Sequence, residues 1–305
     1  PPFVYYGTSD FSAIILSGLL QAGLQPSLVV STEPKPAGRG LKLTPTPVSW
    51  LAQDKKLPLL EVKTLKPEDI QKQLADSATP LAILAAFGKI IPQNVLDIYP
   101  KGIVNVHPSL LPLYRGPAPI QYALRDGQTE TGVSLIVLDE QVDHGPMLAQ
   151  EKCRVAETDD TLTLSQKLAE LSVKLLLSSL DHYLDGSISP VPQVHSRATF
   201  TKMITRADGQ ADFSKSALEL DRQRRAFTPW PALWTRWQDK RLRLLETAVV
   251  DYKCEAKKVI MNGSQLIIGC GSGSLVVKLL QLEGGRALSA ADFIRGHKDF
   301  INSTL

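Results

Sequence analysis

The sequence predicts an α/β protein in which a Rossmann-like doubly wound sheet is followed by a small OB-like β-barrel. Apolar strand-like runs alternate with amphipathic helix-like runs through the first half of the chain. Short strands separated by turn residues dominate the last third, and a stretch with prolines and little periodicity lies between the two parts. These patterns predict a first domain over residues 1–189, a linker over 190–206 and a second domain over 207–305.

The first domain is predicted from its elements in chain order. Strands are expected at Phe3–Tyr6, Ser27–Ser31, Leu81–Phe87, Ile103–His107 and Gly132–Leu138. Helices are expected at Phe11–Ala22, Pro47–Lys55, Pro67–Leu74, Pro92–Ile98, Ala118–Arg125 and Leu162–Leu184. Such alternation is typical of a parallel sheet, so functional residues are expected beyond the carboxyl ends of its strands.

The second domain is predicted from one helix and several short strands. The helix is expected at Ser216–Ala226, and the strands at Arg243–Val250, Val259–Met261, Gln265–Cys270 and Leu275–Leu282. Turn signals such as Asn262-Gly263 separate the strands, which favours a small antiparallel barrel. Three nearby tryptophans would either stack on nucleic-acid bases or, as is more common at this spacing, fill the barrel core: Trp230, Trp234 and Trp237.

Composition excludes several classes of protein. The chain has 305 residues, of which 43% are hydrophobic and 21% charged, as is usual for a globular protein. Its three cysteines form no CxxC or Cys/His pattern, so we expect no metal site. The longest apolar runs fall far below the roughly 20 residues that a membrane helix needs. Neither GxGxxG nor GxxxxGK[ST] occurs, so nothing indicates a dinucleotide or ATP site.

Charge is distributed unevenly along the chain. Residues 1–189 carry 16 Lys and Arg against 20 Asp and Glu, whereas residues 190–305 carry 18 against 11. An acidic first part is therefore joined to a basic second part. A polyanionic partner such as nucleic acid would explain the basic part, and so would a solvated surface face; charge alone does not decide between them.

Two polar side chains close the predicted strand Ile103–His107. Side chains alternate between the faces of a strand, so Asn105 and His107 project from the same face. Asp143 follows the next predicted strand by a few residues. An amide donor, an imidazole that exchanges protons near neutral pH and a carboxylate that orients the imidazole form a minimal set for acyl-type transfer to an amine. The alternative is a junction whose Asn, His and Pro only shape a turn.

The wider motif resembles the folate-dependent formyltransferases, which use 10-formyltetrahydrofolate. It consists of Asn-x-His-x-Ser-Leu-Leu-Pro at residues 105–112, Arg115-Gly116 and a downstream Asp-x-Gly at residues 143–145. The resemblance implies that three residues are catalytic: Asn105, His107 and Asp143. It also implies folate contacts from a second set: Phe87, Gly88, Ser109, Leu110, Leu111 and Pro112.

The resemblance also implies a mechanism. The substrate amine would attack the formyl carbon directly, without a covalent enzyme adduct. Asn105 would donate a hydrogen bond to the developing oxyanion, and His107, held by Asp143 in a useful tautomer, would transfer the proton. Pro108 and His144 depart from the residues common in the family, which puts loop rigidity near the folate in doubt rather than the chemistry.

Other segments resemble the methionyl-tRNA formyltransferases within that family. Residues 36–47 resemble the loop with which those proteins engage the acceptor end of initiator tRNA. The stretch between Glu33 and Asp54 carries three basic residues, Lys35, Arg39 and Lys42. A plain basic surface loop is the alternative. Residues 225–231 resemble the entry to the carboxyl-terminal domain of those proteins, and the resemblance extends from Gly7 to about Phe300.

The resemblance implies the partners as well. They are initiator methionyl-tRNA and the folate donor, and we expect a monomer in the cytoplasm, with no membrane partner. An organellar form with a removed presequence stays open, because the chain begins with Pro1 and Pro2. Two functional alternatives also stay open: a family member that formylates a small amino substrate, and a tRNA-binding relative that has lost catalysis.

Overall fold

The computed structural model describes residues 2–37, 40 and 42–305. The chain forms two compact units, each made of three stretches of sequence. The first unit comprises Pro1–Pro119, Glu130–Arg154 and Ser165–Thr201, and the second comprises Ile120–Thr129, Val155–Leu164 and Lys202–Leu305. Most of the predicted linker therefore belongs to the first unit. The boundaries 1–189, 190–206 and 207–305 stay a prediction of where the domains divide.

The chain up to residue 184 contains nine strands and six helices among its described residues. The strands are β1 (Phe3–Gly7), β2 (Leu28–Thr32), β3 (Lys35–Ala37), β4 (Lys42–Thr44), β5 (Leu59–Val62), β6 (Leu81–Ala85), β7 (Ile103–His107), β8 (Glu130–Val137) and β9 (Met147–Arg154). The helices are α1 (Asp10–Gln21), α2 (Pro47–Asp54), α3 (Glu68–Asp76), α4 (Gln93–Leu96), α5 (Pro119–Arg125) and α6 (Thr161–Leu184). The sequence patterns did not predict β3, β4, β5 and β9.

Seven of these strands form one sheet in the order β5-β2-β1-β6-β7-β8-β9. The five from β5 to β7 are parallel, and the central strands β1 and β7 are buried along their whole length. Burial on both faces is typical of a parallel sheet covered by helices and explains the nearly continuous apolar runs of these strands. The predicted doubly wound α/β sheet is confirmed.

The expectation that the strand at Gly132–Leu138 is parallel is wrong. β8 pairs antiparallel with β7, so that Val104 lies opposite Val137 and His107 opposite Ser134, and β9 pairs antiparallel with β8. Hydrophobic periodicity indicates that a strand is buried but carries no information about its direction. The loop that follows β8 therefore leaves the sheet beside the first residues of β7.

The second unit is built around an antiparallel sheet. Its strands are β10 (Leu233–Trp237), β11 (Lys240–Val250), β12 (Val259–Asn262), β13 (Gln265–Gly269), β14 (Ser274–Leu282) and β15 (Leu288–Ser289), and its helices include α7 (Ala217–Ala226) and α8 (Ala290–Gly296). The strand order is β10-β11-β14-β13-β12, with β15 beside β14. The predicted antiparallel β-domain is confirmed, whereas β10, β15 and α8 were not predicted.

Two of the three tryptophans belong to the core of this second unit. The ring of Trp237 packs edge-to-face on Phe293 and Phe300, with centroid distances of 5.9 and 5.1 Å. Trp234 is buried as well, and its Nε1 donates to the carbonyl of Arg206. Trp230 is 54% exposed. The core interpretation therefore holds for Trp234 and Trp237 and fails for Trp230.

Helices begin where a side chain satisfies the first free main-chain N–H groups. The Ser9 hydroxyl accepts from Ser12 N ahead of α1, and Thr46 Oγ1 accepts from Ser49 N ahead of α2. Ser216 and Glu219 form a capping box at the start of α7. Among the described residues, no helix combines the length and the apolar character that crossing a bilayer requires.

Candidate active site

β7 carries two polar side chains into the interior of the first unit. Asn105 is only 6% exposed and His107 only 4%. The strand is held between β6 and β8, where Asn105 lies opposite Leu84 on one side and Ile136 on the other. Buried polar groups are costly unless they are hydrogen-bonded, so the partners of these two side chains determine what the site can do.

Asp143 brings the predicted catalytic residues together. Its Oδ1 accepts a hydrogen bond of 3.2 Å from Asn105 Nδ2 and lies 3.5 Å from His107 Nδ1. Its Oδ2 accepts a hydrogen bond of 2.8 Å from the main-chain N–H of Gly116. The carboxylate thus joins the end of β7 to the turn at Gly116 and leaves 12% of its side chain exposed.

Asp143 reaches this position by a route that the sequence did not predict. The carboxyl-end rule for parallel strands does not apply, because β8 is antiparallel and ends beside Val104. The following loop turns back, with Asp143 in the left-handed region at φ +50°. Gly145 allows a tight approach there, since a Cβ at this position would lie 1.9 Å from the Val137 carbonyl oxygen.

The orientation of the His107 ring depends mainly on a main-chain carbonyl. His107 Nε2 lies 2.9 Å from the carbonyl oxygen of Tyr114. A carbonyl can only accept, so Nε2 carries a proton, and the other ring nitrogen, Nδ1, faces Asp143. The sequence-based interpretation had Asp143 hold the tautomer, and this is corrected: the Tyr114 carbonyl fixes the proton on Nε2, and Asp143 faces Nδ1.

Residues 191–201, here called the strap, pair with two turns of the site. One turn is the loop that carries Asp143, and the other is the turn at Arg115 and Gly116. Met147 and Val191 exchange two main-chain hydrogen bonds, of 2.7 and 2.8 Å, just after the Asp143 loop. At the other turn, Arg115 N donates to the Thr199 carbonyl and Thr201 N donates to the Arg115 carbonyl. The strap was predicted as part of a linker because it lacks hydrophobic periodicity, yet it is part of the scaffold of the site.

Two buried side chains connect the strap to the turns, and neither was predicted as a site residue. Gln193 and Arg115 are 5% and 4% exposed and are hydrogen-bonded to each other. Arg115 also donates to His195 Nδ1, and the His195 ring stacks on His144 at 4.0 Å. Desolvation by the neighbouring groups, and after it the charges of His144 and Arg115, lower the pKa of His195. Arg115 stood in a quoted motif, but no sequence signal marked Gln193.

The predicted folate segment at residues 86–88 follows the carboxyl end of β6. Phe87 is buried against Tyr6, with the rings edge-to-face at 5.3 Å, and its carbonyl accepts from Thr8 Oγ1. Ala86 and Gly88 both have positive φ angles, and the space where a Cβ of residue 88 would lie is open. The main chain at Gly88 is therefore accessible to a ligand, and β6 is the direct neighbour of β7.

In the predicted folate segment at residues 109–112, several main-chain polar groups are already hydrogen-bonded to other parts of the protein. Ser134 Oγ donates to the Ser109 carbonyl and accepts from Leu111 N, while Gln150 Nε2 donates to the Leu111 carbonyl. Ser109 and Leu111 are buried, Leu110 and Pro112 are half-buried, and the Leu111–Pro112 peptide bond is cis. The hydrogen bonds from Ser134 and Gln150 hold the backbone of this segment beside His107, and its contact with folate stays a prediction.

The predicted tRNA loop forms a short hairpin where it is described. β3 and β4 pair antiparallel, with Lys35 opposite Thr44 and Ala37 opposite Lys42. Lys35 and Lys42 are exposed, whereas Arg39 lies outside the described residues. Across residues 2–37, 40 and 42–305, no group of three His, Cys, Asp or Glu side chains is placed to bind a metal ion.

Family models and known proteins match this chain over nearly its whole length. The formyl transferase family model matches residues 3–180, and the model of the formyl transferase C-terminal domain matches residues 203–298. A methionyl-tRNA formyltransferase of Myxococcus xanthus is 39% identical, with 98% of this chain and 96% of that protein covered. One of Roseiflexus castenholzii is 38% identical, with 96% and 95% covered.

Solved structures with low sequence identity share the fold. HypX of Aquifex aeolicus in complex with tetrahydrofolic acid has a TM-score of 0.65 at 15% identity, covering 96% of this chain and 46% of that chain. An N-formyltransferase of Helicobacter canadensis in complex with folinic acid and dTDP-3-aminofucose has a TM-score of 0.64 at 14% identity, covering 90% and 98%.

Proposed function

We propose, starting from the fact that this chain belongs to the methionyl-tRNA formyltransferase family, that Asn105, His107 and Asp143 are the residues with which it catalyses its reaction. That reaction transfers the formyl group of 10-formyltetrahydrofolate to the free α-amino group of methionyl-tRNA. One observation carries the proposal: a single carboxylate, Asp143, contacts Asn105, His107 and the Gly116 N–H within a largely buried site.

His107 Nδ1 accepts the proton that the attacking amine loses. The Tyr114 carbonyl keeps the proton on Nε2, so Nδ1 of the neutral ring has a lone pair to offer. When Nδ1 takes up the proton, the imidazolium faces Asp143 Oδ1 at 3.5 Å and donates from Nε2 to the carbonyl. Both contacts stabilise the positive charge of the imidazolium. When the tetrahedral intermediate collapses, the bond between the formyl carbon and the folate nitrogen breaks, and the imidazolium returns its proton to that nitrogen.

Asn105 stabilises the oxyanion that develops on the formyl oxygen. Its Nδ2 carries two hydrogens, and the hydrogen bond to Asp143 uses one of them. The second hydrogen is available to the reacting oxygen. Because Asp143 holds the amide in place before the reaction begins, this donor does not have to reorganise as charge develops.

The proposed binding region for the folate donor lies beside β7. The donor supplies the activated formyl carbon, and we propose that two segments hold it. The main chain at Gly88 offers open space next to β6, and residues 109–112 form a hydrogen-bonded wall beside His107. Residues 109–112 contribute shape more than hydrogen bonds, because Ser134 and Gln150 already occupy their polar groups.

We propose that the exposed hairpin of β3 and β4 contacts the phosphates of the tRNA. Lys35 and Lys42 are exposed near the two ends of the hairpin, and Arg39, the third basic residue of the predicted loop, belongs to the same proposal. Lysine and arginine contacts with phosphate position a nucleic acid without reading its sequence. We also propose the predicted cytoplasmic location, which the bacterial relatives support, and the predicted monomeric state.

An acceptor assay separates this function from its alternatives. Purified protein is incubated with 10-formyltetrahydrofolate and, in parallel, with initiator methionyl-tRNA, elongator methionyl-tRNA or free methionine. We expect formylmethionyl product from methionyl-tRNA and a far lower rate with free methionine. Product from the small amine alone would favour the small-substrate alternative, and tRNA binding without any product would favour an inactive relative.

A further inference from the structure

We infer that Gln193 is a positioning residue for Asp143, acting through the main chain of the loop that carries the carboxylate. The inference rests on the proposed function, in which Asp143 is catalytic. Gln193 lies on the strap, 50 residues after Asp143 in the sequence, and is 5% exposed. It does not contact the Asp143 carboxylate in any hydrogen bond that the described residues make, so its effect would pass through the backbone.

Both the nitrogen and the oxygen of the Gln193 side-chain amide form hydrogen bonds, and their partners belong to two turns of the site. Its Nε2 donates to the carbonyls of Asp143 and Gly145, at 3.0 and 2.8 Å. Its Oε1 accepts from Arg115 Nη2 at 2.7 Å and from Nε at 3.3 Å. Carbonyls only accept and a guanidinium only donates, so the chemistry of the partners leaves one orientation for the amide.

The clamped loop has a conformation that needs support. Asp143 is a non-glycine residue at φ +50°, a region that such residues adopt at a cost and keep only when the surroundings enforce it. The hydrogen bonds from Gln193 to the carbonyls of Asp143 and Gly145 fix the main chain at Asp143 and two residues after it. A rotation of this turn would move the carboxylate away from Asn105 and His107 together.

Arg115 makes Gln193 a link between two turns. The neighbours of Arg115 in sequence supply the Tyr114 carbonyl that binds His107 and the Gly116 N–H that binds Asp143. The Arg115 guanidinium is 4% exposed and donates to Gln193 Oε1 and His195 Nδ1. One amide thus joins the loop that carries the carboxylate to the buried Arg115 side chain, which serves as its anchor.

The test substitution is Gln193→Glu. It keeps the shape of the side chain and the oxygen that accepts from Arg115. It replaces the Nε2 donor by a negative oxygen, which faces the carbonyls of Asp143 and Gly145. We expect kcat to fall roughly tenfold to hundredfold, the range typical when a reacting group is displaced by about 1 Å. KM for methionyl-tRNA and for the folate donor should change less than about twofold, because the substitution does not touch either proposed binding segment.

The matched control is Gln71→Glu on α3. Gln71 Nε2 also donates to two main-chain carbonyls, those of Leu65 and Lys66, but in a loop without contact to Asp143. This variant should keep the wild-type kcat. If Gln193→Glu does not fold, Gln193→Asn replaces it, since its side chain is one methylene too short to bridge Arg115 and both carbonyls, and kcat should again fall at unchanged KM.

A double-mutant cycle distinguishes positioning from general stabilisation. A positioning residue acts through Asp143, so adding the Gln193 substitution to Asp143→Ala should lower kcat no further. An equal loss in both backgrounds, or a wild-type kcat in the Gln193 variants, would overturn the inference. If Asp143→Ala itself keeps the wild-type kcat, it is the proposed function of Asp143 that fails.

Discussion

Among the single residues, Asp143 organises the site because one carboxylate contacts three separate groups. Asn105 and the Gly116 N–H donate to it, and His107 Nδ1 faces it at 3.5 Å. In a site that is largely closed to water, such contacts are stronger than on the surface, and an unpaired partner is costlier. The catalytic proposal therefore depends on the position of one loop more than on any property of β7.

Gly145→Ala tests that dependence at one residue. The added Cβ would lie 1.9 Å from the Val137 carbonyl oxygen, so the backbone next to Asp143 has to shift. We expect kcat to fall by about tenfold or more at nearly unchanged KM. Gly296→Ala on α8 is the control, because its Cβ would meet no atom within 4 Å. The measurement is steady-state kinetics. A wild-type kcat in Gly145→Ala would contradict the proposed dependence of catalysis on the position of the Asp143 loop.

Sequence reasoning identified side chains and missed main-chain partners. Asn105, His107 and Asp143 were predicted because amide, imidazole and carboxylate groups are recognisable by residue type. The Tyr114 carbonyl and the Gly116 N–H were not, since every residue carries such groups and only the fold selects two of them. The direction of His107 within the site could therefore not be predicted.

At the scale of elements, the strap shows why periodicity is an incomplete guide. A segment without hydrophobic repeat was assigned to a linker, yet its main chain pairs with Met147 and Arg115 and its Gln193 is buried. The stabilising contacts are hydrogen bonds between segments far apart in sequence, which leave no local pattern. β8 is a second example, because the antiparallel direction that redirects the Asp143 loop had no signal in the sequence.

The β3–β4 hairpin carries a prediction of its own. Replacing Lys35 and Lys42 by alanine should raise KM for methionyl-tRNA and leave kcat nearly unchanged, because the proposed contacts are with phosphates. The dependence of log KM on log salt concentration should weaken by about 1 for each lysine removed. Lys72→Ala, an exposed lysine paired with Asp76 on α3, is the control. An unchanged salt dependence would remove the hairpin from the tRNA contact.

Across the whole molecule, an acidic first part, residues 1–189, and a basic second part, residues 190–305, belong to one enzyme. The doubly wound sheet and the antiparallel β-domain were both predicted, because alternating strands and helices in one part and short strands with turns in the other differ in pattern. The compact units are each assembled from three stretches, and this interleaving could not be predicted because it depends on long-range packing. Family membership unites the two parts in the formylation of methionyl-tRNA.

The most direct test of the account is the single-turnover rate of formyl transfer in Asn105→Ala, His107→Ala and Asp143→Ala, measured with saturating substrates. Each substitution should lower the rate by roughly a hundredfold or more, as the loss of a preorganised donor or proton acceptor does. The dissociation constant for methionyl-tRNA should stay near the wild-type value. A wild-type rate in any of the three, or a loss of tRNA affinity equal to the loss of rate, would contradict the assignment of these residues to catalysis.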